Sequence, residues 1–119
     1  MVEGFDFDEK WRELRGRFLG RLDERARSIG LAWIEVRNGR DPDGAAQSAL
    51  FHQIHSLSGS GATFGFAELS AAARRVEPLV DPARRPAPEV TAPARQAEID
   101  AALADLEREM RRIQAAAQP

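Results

Sequence analysis

The sequence predicts an all-α protein, an antiparallel four-helix bundle with an additional N-terminal helix. Three observations lead there. Apolar residues recur at alternating spacings of three and four along almost the whole chain, the spacing that lines up one face of a helix. No alternating strand pattern flanked by hairpin turns is visible. The length of 119 residues, with 43% hydrophobic and 30% charged residues, suits one compact domain spanning residues 1–119. Several amphipathic helices in so short a chain can bury their stripes only against each other.

The first helix carries Phe7, Trp11, Leu14 and Phe18, with Asp6 as its cap and Glu9 three residues on, as in a capping box. A second stripe runs through Leu22, Ala26, Ile29, Trp33 and Val36. The step from Phe18 to Leu22 is four where three was due, and Gly16 and Gly20 lie nearby, so the register shifts there by a kink or a break. Both tryptophans lie on apolar stripes and are expected in the core. Gly39 is placed to end the second stretch. Asp41-Pro42-Asp43 then predicts a helix start, with Asp41 at the N-cap and Pro42 in the first helical position.

The third stripe is Leu50, Ile54, Leu57, Gly61 and Phe64, and the fourth is Phe66, Leu69, Ala73, Val76 and Val80. Residues 81–93 hold four of the seven prolines and read as a loop. The last stripe, Ile99, Leu103, Leu106, Met110 and Ile113, lies on a helix rich in Ala, Glu and Arg, expected as a bundle member rather than a dimerisation coil. Arg74-Arg75 and Arg84-Arg85 read as solvated charge.

Composition excludes several functions. The chain has no cysteine, hence no disulfide framework, thiol nucleophile or thiolate metal site, which fits a cytoplasmic location. The formal net charge of −2 argues against binding driven by nucleic-acid phosphates. No apolar run approaches the roughly 18 residues that cross a bilayer, and the N-terminus lacks the pattern of a signal peptide. With His52 and His55 as the only histidines, no HExxH pattern and no GxSxG elbow, a metal site or a self-contained hydrolytic centre is not expected.

The informative stretch is Phe51 to Phe66. On a helix turning about 100° per residue, Ile54, Leu57, Gly61 and Phe64 fall within about 40° of the direction of Leu50. His55 then lies near 140°, Gly59 near 180° and His52 near 200°, so both histidines face water with a bare glycine one turn beyond His55. A glycine inside a helix costs roughly 1 kcal/mol against alanine. What it offers in return is close access to the ring. The same Gly59-Ser60-Gly61 could instead end the helix in a turn, while a phosphate-cradling loop lacks both the strand and the lysine that such loops need.

The run His55-Ser56-Leu57-Ser58-Gly59-Ser60-Gly61-Ala62-Thr63-Phe64-Gly65 resembles the signature of histidine-containing phosphotransfer (HPt) domains. In that family leucine follows the histidine by two residues and glycine by four. Phe18-Leu19 with Leu22, and the hydrophobic–glutamate pair Val76-Glu77, look like flanking features of the family. The motifs cover roughly residues 7 to 80, and helix count alone carries the rest. The resemblance implies that His55 accepts a phosphoryl group from the aspartyl phosphate of a response-regulator receiver domain and passes it on. Neutral imidazole is a good nucleophile near neutral pH. The receiver would supply the acidic cluster, Mg²⁺ and a lysine, so the chain needs no cofactor of its own and acts as a relay rather than as an enzyme. Phe51, His52, Ser56, Ser58, Gly59 and Ala62 are the implied docking or phosphate-proximal residues, and a hybrid histidine kinase is a further implied partner of a monomeric chain. One departure stands out: the family usually has a lysine three residues after the histidine, where this chain has Ser58. A hydroxyl can donate a hydrogen bond but brings no charge. The departure implies a weaker hold on the phosphoryl group or another cationic helper, for which His52, otherwise read as solvated, is a candidate. It also keeps open an alternative function, an unphosphorylated adaptor that binds a receiver or kinase.

Overall fold

The computed structural model describes residues 6–117, which form six helices and no strand. These are α1 (Phe7–Gly20), α2 (Leu22–Arg37), α3 (Ala45–Thr63), α4 (Ala67–Val80), the single turn α5 (Ala87–Val90) and α6 (Pro93–Ala117). Helices α2, α3, α4 and α6 pack in a ring, and their polar contacts fix the directions. Gln47 at the start of α3 meets the last residue of α4, since its Nε2 donates to the Val80 carbonyl at 3.1 Å. Arg112 near the end of α6 pairs with Glu68 at the start of α4 at 2.8 Å. Trp33 late in α2 donates from Nε1 to Asp100 early in α6 at 2.7 Å. Each of these neighbouring pairs therefore runs antiparallel, as expected.

The core consists of the predicted stripes: Leu22, Ile29, Trp33 and Val36 from α2, Leu50, Ile54 and Leu57 from α3, Leu69, Ala73, Val76 and Val80 from α4, and Ile99, Leu106, Met110 and Ile113 from α6. Side chains of this size contribute about 1.5–3 kcal/mol each when fully buried. The bundle therefore rests on periodicity rather than on surface ion pairs, most of which join exposed residues one turn apart.

The N-terminal helix behaves differently. Asp6 caps it as predicted, accepting from the Glu9 amide at 3.2 Å. Arg21 alone then separates α1 from α2, so the register shift is a break. Of the first stripe, Phe18 is buried, whereas Trp11 is half-buried, Leu14 is exposed and Phe7 is 70% exposed. The expectation of a core Trp11 is thereby corrected. Helix α1 meets the bundle at one end, through Phe18 against Phe64 and Phe66 (ring centroids 5.3 and 5.9 Å) and Trp11 against Phe64 (6.0 Å), so the stripe beyond Trp11 overhangs.

Two further expectations change. Helix α3 begins at Ala45, not at Pro42; yet Asp41 still satisfies its first turn, accepting from the Ala46 and Gln47 amides at 2.8 and 2.9 Å. The cap reaches over a tight turn closed by Gly44 at φ +76°, a left-handed conformation suited to glycine. The proline-rich stretch contains α5, whose Val90 is fully buried, and Pro93 opens α6 instead of ending the loop. Arg85 is not simply solvated: it is half-buried, and its Nε donates to the Pro78 carbonyl at 3.5 Å.

Candidate functional site

Helix α3 continues unbroken through Gly59-Ser60-Gly61 to Thr63, so the turn reading is set aside. It ends at Phe64, and Gly65 follows at φ +84° to reverse the chain. The two motif glycines have opposite roles. At Gly59 an added Cβ would meet nothing within 4 Å, so the position faces open space. At Gly61 it would lie 3.3 Å from the Ser70 amide nitrogen and 3.5 Å from both the Phe66 carbonyl and Leu69 Cδ2. Gly61 thus lets the start of α4 pack close against α3, and the Phe66 amide donates to its carbonyl at 2.7 Å.

His55 stands on the outer face of α3 with 69% of its side chain exposed. One turn before it, the ring of Phe51 stacks on the imidazole with centroids 5.9 Å apart and planes 15° apart. One turn after it comes Gly59. The imidazole therefore has an aromatic wall on one flank and no side chain on the other. Across the α3–α4 groove, Glu77 brings Oε2 to 3.3 Å from His55 Nδ1. An ionised carboxylate only accepts, so this contact needs the proton on Nδ1, and in the neutral ring the lone pair then lies on Nε2.

The groove is fixed on both sides of that pair. Toward the end of α3, Ser70 Oγ donates to the Ser58 carbonyl at 2.9 Å. Toward its start, the Gln47 side chain donates to the carbonyls of Val80 and Arg85, at 3.1 and 2.7 Å. Gln47 and Ser70 are buried, so these bonds satisfy groups that would otherwise be costly to desolvate. Neither residue stood out in the sequence. A signal existed for Gln47, a polar residue about 60° from the direction of Leu50 and so on the apolar side of its helix.

The structure brings His52, His55, Ser56, Gly59 and Ala62 together on the exposed face, with the half-buried Phe51 at its edge. Ser58 does not join them. It is only 5% exposed, and its backbone carbonyl accepts from the Ser70 hydroxyl across the α3–α4 interface. Position 58 lies about 80° from Leu50 on the α4 side of the helix, where a short side chain is swallowed by the interface. No residue of α3 carries a formal charge apart from what its histidines acquire. Among the described residues no cluster of three or more His, Asp or Glu side chains could hold a metal ion, and no helix is long and apolar enough to cross a membrane.

The bundle thus presents an exposed histidine with a bare glycine one turn on and a carboxylate behind the ring. The family model for the Hpt domain matches residues 13–116, from within α1 to the last turn of α6, and the chain belongs to that family. No curated protein and no solved structure matches it. Hpt domains serve histidine phosphotransfer in phosphorelays, as transfer modules rather than classical enzymes, and typically interact with response-regulator receiver domains.

Proposed function

We propose that this chain relays a phosphoryl group to and from the aspartate of response-regulator receiver domains, and that His55 carries it. The observation behind this reading is the His55–Glu77 contact on an otherwise open face. In the neutral ring a proton held on Nδ1 by Glu77 leaves the Nε2 lone pair for attack, which is what a nucleophilic imidazole requires.

The Nε2 lone pair forms the N–P bond while the P–O bond to the aspartyl carboxylate breaks, its electron pair leaving on the carboxylate oxygen. The Nδ1 proton stays in place, so the ring becomes a phosphoimidazolium whose positive charge faces Glu77. Return of the group to a receiver is the same step reversed, and no nucleotide is consumed. In-line phosphoryl transfer depends mainly on positioning and on charge stabilisation. The receiver would bring its acidic cluster, Mg²⁺ and lysine, and this chain the oriented ring and the surface formed by Phe51, His52, Ser56, Gly59 and Ala62. We take residues 1–119 to act as one cytoplasmic, monomeric unit, with a hybrid histidine kinase as a further source of phosphoryl groups.

The replacement of a lysine by the buried Ser58 favours a second reading, an adaptor that docks on a receiver without accepting phosphate. One assay separates the two. A receiver domain phosphorylated with acetyl phosphate is mixed with the wild-type chain and with His55→Gln and His52→Gln. An acid-labile, base-stable label absent only from His55→Gln is expected for the relay. Receiver binding without any label would establish the adaptor.

A further inference from the structure

We infer that Arg74 supplies the cation that holds the phosphoryl group on His55, a role that rests on the relay reading above. A phosphohistidine carries a dianionic group in the open, and a charge-assisted hydrogen bond to it is among the stronger contacts a surface can offer. Helix α3 has no lysine or arginine to make one, and position 58 is turned into the α3–α4 interface. A full positive charge would have to come from a neighbouring helix, and α4 is the helix that faces the His55 ring.

Helix α4 has two candidates, Arg74 and Arg75. Their places follow from contacts on either side. Ser70 and Glu77 are α4 residues whose side chains form polar contacts with α3, at the Ser58 carbonyl and the His55 ring respectively. Arg74 is four residues after Ser70 and three before Glu77, so it lies on the same stripe as both, between them along the axis. Measured from Val76, Glu77 and Ser70 stand about 100° and 120° round the helix and Arg74 about 160°, just outside the groove on its open side. Arg75 stands about 100° round in the other direction, near Glu68, whose partner is Arg112 of α6. Arg74 is the arginine that borders the His55 groove.

It is also available. It is exposed, and the carboxylates nearest in sequence are engaged elsewhere: Glu77 with His55, Asp81 with Arg84 and Glu68 with Arg112. The guanidinium, with five donors in a planar fork, suits a group with three equivalent oxygens. Arg74 would meet the phosphoryl group only after the N–P bond has formed. It acts as a phosphoryl-holding residue, while Glu77 orients the unphosphorylated ring.

The test compares the wild-type chain with Arg74→Ala, Arg74→Lys and Arg75→Ala. Each is equilibrated with a receiver domain phosphorylated by acetyl phosphate and Mg²⁺, and the phospho-form is followed by ³¹P NMR across pH. Arg74→Ala is expected to lower the equilibrium phosphohistidine fraction relative to phosphoreceiver by roughly tenfold, as for loss of one charge-assisted hydrogen bond. It should also raise the pH at which the bound phosphoryl group takes up its proton. Arg74→Lys should restore most of both effects, and Arg75→Ala should change neither. A structural role for Arg74 would leave the titration of the phosphoryl group unmoved. Equal phosphohistidine fractions and titrations in wild type and Arg74→Ala would overturn the role of Arg74 while leaving the relay intact. A wild-type chain that takes no label would overturn the relay and this inference with it.

Discussion

Glu77 reaches His55 Nδ1 at 3.3 Å from a position where only 22% of its own side chain is exposed, so a half-sheltered carboxylate directs a largely exposed imidazole. The pairing joins residues of two helices that are pinned together at both sides of it. The ring's orientation is therefore set by the α3–α4 interface and not by α3 alone.

Glu77→Ala should release that control. The expected outcome is a fall in transfer rate of roughly ten- to a hundredfold, in line with the ~1.5–3 kcal/mol of a hydrogen bond to a charged group. Nitrogen-15 spectra of the ring should show proton occupancy moving from Nδ1 toward Nε2. An unaltered tautomer balance would show that Glu77 does not fix the reactive nitrogen.

Gly59 should separate folding from transfer. Its added Cβ meets open space, so Gly59→Ala is expected to raise stability by up to ~1 kcal/mol through helix propensity alone. Gly59→Glu should fold equally well yet block phosphoryl transfer by filling the bare flank of His55. Thermal unfolding and transfer kinetics on the same samples check both halves, and transfer at the normal rate in Gly59→Glu would remove the close-approach argument.

Gly61→Ala should do the reverse. The new methyl would press on the Ser70 amide nitrogen at 3.3 Å, with backbone on both sides and little freedom to yield. A loss of about 1–3 kcal/mol in chemical denaturation is expected, as for other overpacked sites. Activity per folded molecule should stay within a few-fold of wild type.

Gln47→Leu should destabilise by about 1–3 kcal/mol, because the carbonyls of Val80 and Arg85 lose their donor while remaining partly or wholly buried. Amide exchange should rise first around residues 80–90, where α4 hands over to α5. Uniform exchange along the chain would indicate that the side chain does not anchor this corner.

Much of this architecture was legible because periodicity and capping are local. Asp6 with Glu9, the slipped step from Phe18 to Leu22 and the four core stripes each need only a few neighbouring residues to be read. Where the outcome depended on partners far along the chain, local reasoning fell short. Trp11 lies on a well-spaced stripe, but whether it is covered depends on how far α1 extends past Phe64. Asp41 was recognised as a cap, though its reach across a turn of five to six residues displaced the predicted start. That His55 and Gly59 share an exposed face was legible from helical spacing alone. Gln47 and Ser70 were not, since their value lies in carbonyls contributed by another helix. The inward turn of Ser58 likewise appears only once α4 is in place.

The absence of formal charge along α3 has a kinetic consequence. In the relay we propose, the helix that meets the receiver adds no charge to a chain whose net charge is only −2, so long-range pull should be small and encounters should proceed near the unsteered rate of roughly 10⁵–10⁶ M⁻¹s⁻¹. They should also depend only weakly on ionic strength. Collisions with different receivers would then be about equally frequent, and discrimination would fall to residence time. A receiver that fits the aromatic wall and the bare flank stays long enough to exchange its phosphoryl group, and one that does not fit leaves first.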